Sequence, residues 1–242
     1  MSDLDAQIAK YLPYLEELQH KLFTILFVMV AAGAVAGWYY QDILKWVMTF
    51  FHLEGITIVM TSPYQFINLA VNTGFVTGVS IGLPLLLFYI IRFVRPALRP
   101  REYRLLTHLF PLGLLLFVIG FLFGAWIIQL VVTIYANTTL ELAVQNYWDI
   151  GSFFSHIITT GVSLAIVFEL PIVLLALLQL NVLKISSVKE QRRYIYAGLL
   201  LLAAILPPTD ILSLLILTIP PLLLFEGTLV LSQAMTKWQL YV

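Results

Sequence analysis

The chain has 242 residues, of which 61% are hydrophobic and only 11% charged, with a formal net charge of zero. That balance excludes a soluble globular domain and leaves room for a single polytopic membrane domain, since no long polar segment remains for a second. Cysteine is absent, which excludes disulfides, thiolate metal sites and a Cys nucleophile.

Residues 1–21 are polar and slightly acidic, with Asp3, Asp5, Glu16 and Glu17 set against Lys10 and Lys21. The apolar run that follows predicts a first membrane helix over 22–40, closed by the aromatic belt of Trp38, Tyr39 and Tyr40. Its Ala32-Gly33-Ala34 imitates a signal-peptidase site. A secretory signal begins short and basic, however, so this run reads as a retained helix. Residues 41–62 are amphipathic, too polar to span, and expected at the membrane interface.

Ser62-Pro63 supplies an N-cap and an N1 proline for a second helix over 63–93, with a kink expected at Pro84. An arginine-rich loop leads to a third helix over 105–135, and Asp149 is placed to cap a fourth over 150–180. At ~1.5 Å per residue the fourth is ~45 Å long against a hydrocarbon core of ~30 Å, so it must tilt, bend or protrude. Two short helices over 195–206 and 211–231 follow, joined through Pro207-Pro208-Thr209-Asp210, the second broken by Pro220-Pro221. Both are too short to span comfortably, and the bilayer beside them should thin. The expectation is an all-α integral membrane protein of six transmembrane helices, with both termini on one side.

The basic residues choose that side. Of 13 Lys and Arg, only Lys45 lies in the first, third or fifth loop. The others lie in the amino terminus, around 93–104, in the 181–194 loop and at Lys237, so these segments are expected in the cytoplasm. Topology accounts for the basic loops, aromatics included, without invoking nucleic acid.

The fourth predicted helix carries Glu169 near its middle and Pro171 two residues later. A carboxylate at such depth costs about 2.5–3.5 kcal/mol on insertion scales, and intramembrane acids mark functional sites by default. The plainer reading is a neutral, buried acid hydrogen-bonded to a neighbouring helix. Pro171 has no N–H for the carbonyl of Val167, which should bend the helix and leave that oxygen free to accept a hydrogen bond from the acid.

Glycines recur at four-residue spacing: Gly33 and Gly37, then Gly74, Gly78 and Gly82, then Gly120 and Gly124. Small residues one turn apart let membrane helices approach closely, here to pack the bundle or to receive a partner. Metalloprotease, P-loop and nucleophile-elbow motifs are missing and the four histidines fall in separate elements, so neither an enzyme nor a metal or other cofactor is expected. Among the cytoplasmic carboxylates, Glu16 and Glu17 precede the first helix, and Glu102 lies among Arg92, Arg95, Arg99, Arg101 and Arg104. Taken alone, Glu102 is a counter-ion for its neighbours, worth under ~1 kcal/mol if exposed.

Five stretches in register carry a family resemblance. They are Leu15-Glu16-Glu17-Leu18-Gln19-His20-Lys21-Leu22; Phe93-Val94-Arg95-Pro96-Ala97-Leu98 with Arg101-Glu102-Tyr103-Arg104; Phe168-Glu169-Leu170-Pro171; Arg192-Arg193-Tyr194; and Pro207-Pro208-Thr209-Asp210. In order and spacing they resemble TatC, the multi-spanning receptor subunit of the twin-arginine protein translocase. The resemblance implies a six-helix cup whose concave face carries Glu169. It implies export of folded proteins, driven by the proton motive force, after a twin-arginine signal peptide docks on the cytoplasmic side of the cell membrane. The family's signal-peptide carboxylates would fall on Glu17 and Glu102, with Gln19 in the same site where the family usually carries Arg. It also implies single-span TatA/TatB-type subunits packed along the fifth and sixth helices; a homo-oligomer is one further candidate association. Besides Gln19, the pattern departs at Leu214, where a glutamine would partner the intramembrane acid, at Leu130, where a proline is usual, and at Tyr14, often a histidine. The readings from other classes are a proton-coupled secondary transporter, for which no internal repeat is found, and a TatC-derived scaffold of another membrane complex.

Overall fold

The computed structural model describes residues 3–51, 57–95, 98–141, 147–180, 182–207 and 210–239, with side chains between 19 and 234 apart from those at 94, 101 and 139–141. Long apolar sequences with internally paired backbone form the helices, as a bilayer demands. In chain order the elements are α1 (Asp3–Trp38), α2 (Tyr40–Phe50), β1 (Thr57–Val59), α3 (Gln65–Val94), α4 (Pro100–Glu141), β2 (Tyr147–Asp149), α5 (Ile150–Phe168), α6 (Leu170–Gln179), α7 (Ile185–Glu190), α8 (Arg192–Ile205) and α9 (Ile211–Gln239).

Among the described residues five helical spans are long and apolar enough to cross a membrane: Gln19–Trp38, Gln65–Phe93, Glu102–Thr138, Ile150–Gln179 and Ile211–Ala234. The predicted fifth helix, 195–206, corresponds to α8, which at 14 residues is shorter than a full span. The chain resolves into two compact units, one of residues 1–44 and 67–99 and one of 45–66 and 100–242.

In the first unit α1 and α3 meet backbone to backbone. A Cβ on Gly33 would lie 2.8 Å from the Gly74 carbonyl oxygen, and one on Gly78 would lie 2.5 Å from that of Met29. The glycine spacing therefore serves packing, where dispersion between close backbones replaces the missing hydrophobic force. Lys21 sits over the Phe93 ring, 5.6 Å from its centroid, at one end of the pair.

The second unit is built on α4 against α5. A Cβ on Gly120 would meet the Leu164 carbonyl oxygen at 2.7 Å, and one on Gly124 would meet Cα of Gly161 at 2.7 Å. Around this contact Ile127, Val131, Leu164, Phe168, Ala203 and Leu217 form a core drawn from α4, α5, α8 and α9. A second cluster, Leu178, Val188, Phe225 and Leu229, ties α6 and α7 to α9.

Two expectations need correction. The segment 41–62, expected as an amphipathic stretch at the interface with no strand in it, holds α2 and then β1, which pairs in parallel with β2 in the register Ile58 to Trp148. Three-residue strands carry too little periodicity to be legible beside an aromatic-rich loop. The other concerns Pro220-Pro221, which does not break its helix, since α9 runs continuously from Ile211 to Gln239. Proline's fixed φ is compatible with a helix, and in membranes neighbouring helices and hydroxyls accommodate the lost N–H groups. Pro84 likewise lies inside an unbroken α3, and α4 runs unbroken through Leu130, where the resemblance placed a proline.

Candidate functional site

The fourth predicted helix is two helices, and Glu169 is the residue between them. Pro171 opens α6 without an N–H to give to the turn before it. The Glu169 N–H reaches back to the Ile166 carbonyl at 3.1 Å, and its own carbonyl accepts from Ile172 and Val173 at 3.0 and 3.1 Å. The side chain is 7% exposed. Its Oε2 is buried without a hydrogen-bond partner, so the bond expected to the Val167 carbonyl is not made by that atom. The physical reason is on α4: a Cβ on Gly113 would stand 2.9 Å from Oε2. The carboxyl occupies the space that this glycine leaves, instead of turning back along its own helix. Gly113 lies two turns before Gly120 on the same face, and that spacing was the available signal for it.

Where a polar partner would stand, Leu214 packs against the apolar core that contains Phe168. The acid therefore sits at a helix break, between helices, in apolar surroundings. Such a group is poised to accept or give a hydrogen bond when a further polar group arrives.

The cytoplasmic candidates are distributed over both units. Glu17 lies on α1, its side chain outside the described residues, and Gln19 is exposed on the same helix. Glu102 is half-buried in the first turn of α4, where a carboxylate favours the helix dipole.

Asp210 caps α9: its Oδ1 accepts from the Ser213 N–H at 2.9 Å and its Oδ2 from the Ser213 hydroxyl at 2.6 Å. Tyr135 donates to the same carboxylate at 3.4 Å. The Pro207 carbonyl accepts from Thr160, a fully buried hydroxyl, while Pro208 lies outside the described residues. These contacts give the loop between α8 and α9 a structural role.

Two constellations escaped the sequence reading. Asp149 caps α5 through Ser152 N–H at 2.8 Å, as its position suggested, and also accepts from Thr61 at 2.6 Å and from Gln65. The latch ties the start of α3 to the start of α5. The Thr61 hydroxyl and then the Ser152 N–H hold its carboxyl well below the usual carboxylate range, against a smaller opposing effect of burial. The second is on α8 and α9, where Arg192 pairs with Glu226 at 2.8 Å and Tyr196 donates to the other carboxylate oxygen. A second acid inside an apolar segment was the signal for Glu226.

A family model, that of the Sec-independent protein translocase protein TatC, matches residues 13–220. The chain belongs to the TatC family. It is 31% identical over 172 residues to the TatC protein of Akkermansia muciniphila, covering 70% of this chain and 49% of that protein. It is 25% identical over 236 residues to the TatC protein of Haemophilus influenzae, covering 96% of this chain and 92% of that one. The chain thus spans about half the length of the first of these relatives and nearly all of the second. Its fold matches a crystal structure of the twin-arginine translocase receptor TatC with a TM-score of 0.79 at 23% identity, over 90% of this chain and 99% of that one. The TatC fold and the apolar spans together make this a multi-pass membrane protein of a protein-transport family.

Proposed function

We propose that this chain is the signal-peptide receptor and core subunit of a twin-arginine translocase, exporting folded proteins across the cytoplasmic membrane at the expense of the proton motive force. The observation that carries the reading is the buried, unpartnered carboxyl of Glu169 at a helix break, in a chain of the TatC family. The chain works as one membrane domain with both termini and the 93–104 and 181–194 loops in the cytoplasm, because 12 of 13 basic residues lie there. A cysteine introduced at Arg99 should therefore resist an impermeant maleimide in intact cells, and labelling from outside would overturn that orientation. TatA/TatB-type single-span subunits pack along α8 and α9, where α8 is short and the bilayer thins.

In this reading Glu17 and Glu102 each take one guanidinium of the signal peptide's Arg-Arg pair, and Gln19, on the same helix as Glu17, contributes to peptide binding. A carboxylate receives the guanidinium fork through two parallel bonds, which an ammonium cannot make. A charge-assisted contact is worth about 1.5–3 kcal/mol, so Glu102→Gln or Glu17→Gln should weaken crosslinking to a twin-arginine peptide by about tenfold to a hundredfold. Unchanged crosslinking, with twin-lysine peptides competing equally, would reduce Glu102 to a counter-ion of its neighbours and remove the receptor assignment.

A further inference from the structure

Beside α6, walled in part by the α8 and α9 proposed above to carry the single-span subunits, lies a cavity of about 220 Å³. Leu170, Val173 and Leu177 of α6, Ile195 and Leu199 of α8 and Phe225 of α9 line it. Pro221 completes the wall on α9. The lining offers no charged or hydrogen-bonding side chain. A space so lined stays dry, and one of about 150 Å³ already accepts a benzene-sized guest. Leu170 and Val173 are 47% and 41% exposed, so the slot opens on the surface of the second unit.

The chemistry changes at the cytoplasmic end. Arg192 stands one turn before Ile195 on α8, and its guanidinium is held at 2.8 Å by Glu226, the residue after Phe225. Through Ile195 and Phe225 this pair adjoins the lining of the slot. Its Nε is buried, yet the Arg192 side chain as a whole is 39% exposed, so the rest of the fork remains open to the surface. Lys184, Lys189 and Arg193 flank it in sequence, so the ten residues 184–193 that lead into α8 carry four cations and one acid, Glu190. An apolar slot capped by surplus positive charge at the membrane surface complements one kind of molecule.

We propose that the cavity between α6, α8 and α9 binds an acyl chain of an anionic phospholipid whose phosphate sits on Arg192 at the rim. A lipid held there fills the wall beside the short α8 and covers a seam of the bundle close to Glu169. The inference does not rest on peptide recognition, and its readout is lipid binding, so it can fail without the translocase reading failing.

The test uses the full chain in phosphatidylcholine nanodiscs with spin-labelled phosphatidylglycerol or phosphatidylcholine, reading the motionally restricted fraction. Phosphatidylglycerol should be favoured by about fivefold, as one basic side chain facing an anionic headgroup gives. Val173→Trp closes the mouth from an exposed position and should lower the restricted phosphatidylglycerol fraction. The double variant Arg192→Gln, Glu226→Gln removes both charges together, leaving no orphaned ion, and should bring the ratio of the two lipids close to one. Equal binding of both lipids by the unmodified chain, or a preference that survives both variants, would overturn the site. So would a Val173→Trp protein that keeps its lipid but loses co-purifying single-span subunits, because the slot would then take a protein side chain.

Discussion

Asp149 stands at the start of α5 and Glu169 just past its end, and the surroundings of the two acids differ completely. Asp149 accepts from Thr61, Gln65 and Ser152, whereas Oε2 of Glu169 is buried with no partner at all. A satisfied carboxylate fixes structure, and here it locks the start of α3 to the start of α5. An unsatisfied one, in a place where it is costly, is held by packing from both sides and is available for function. One helix thus carries a clamp at one end and a reserve of hydrogen-bonding capacity at the other.

Replacing Glu169 should have the largest effect. Glu169→Ala is expected to lower export by about ten- to a hundredfold, the range of a lost charge-assisted contact of about 1.5–3 kcal/mol. Glu169→Gln keeps the shape and a donor and should retain more activity, with normal insertion and folding. Equal inactivity of two folded variants would transfer the role from hydrogen bonding to ionisation.

The helix between the two acids is held by contact of α4 with α5, so Gly120→Val should act on stability. Its Cβ would meet the Leu164 carbonyl oxygen at 2.7 Å, and overpacking of this kind costs about 1–3 kcal/mol. Thermal unfolding in detergent should show a lowered midpoint, and an unchanged one would contradict the close approach.

Asp149→Ala should be milder, because losing an N-cap costs about 0.5–2 kcal/mol, and Asp149→Asn milder still. The folded-state pKa of Asp149 lies below its unfolded value of ~3.9, so its contribution is complete above that pH and lost as pH falls toward the folded value. Unfolding midpoints of the parent and Asp149→Ala should therefore differ near neutrality and converge below about pH 4. A constant gap down to strong acid would show that the clamp is not the ionised carboxyl.

The smallest expected effect is favourable. A Cβ on Gly198 meets nothing within 4 Å, and Gly198→Ala in the body of α8 should raise stability by about 0.5–1 kcal/mol. A loss of export or of subunit co-purification in that variant would mark the glycine as a contact surface.

The sequence carried most of this comparison. Apolar runs fixed where membrane helices form, and Glu169 with Pro171 announced both the acid and the break. The cap at Asp149 was legible from its place ahead of an apolar run, but its bonds to Thr61 and Gln65 were not, since they depend on how distant segments pack. Gly113 stands outside the four-residue glycine spacing, since its partner Gly120 lies two turns away. Glu226 reads in the sequence as one acid late in a proline-interrupted segment, and only the unbroken α9 sets it opposite α8. Its partner Arg192 reads in the sequence only as part of the charge bias that sets orientation. Local pattern predicts which residues are costly, while the atoms that offset the cost come from tertiary packing.

The most direct test of the central claim uses cells whose own TatC has been removed and replaced by this chain with its single-span partner subunits. The reporter is a fluorescent protein that folds before export and carries a twin-arginine signal peptide. The receptor reading predicts folded, fluorescent reporter outside the cytoplasmic membrane, lost when the peptide's Arg-Arg is changed to Lys-Lys and strongly reduced by Glu169→Ala. Retention of the reporter in the cytoplasm, with the chain stably inserted and its partners present, would contradict it.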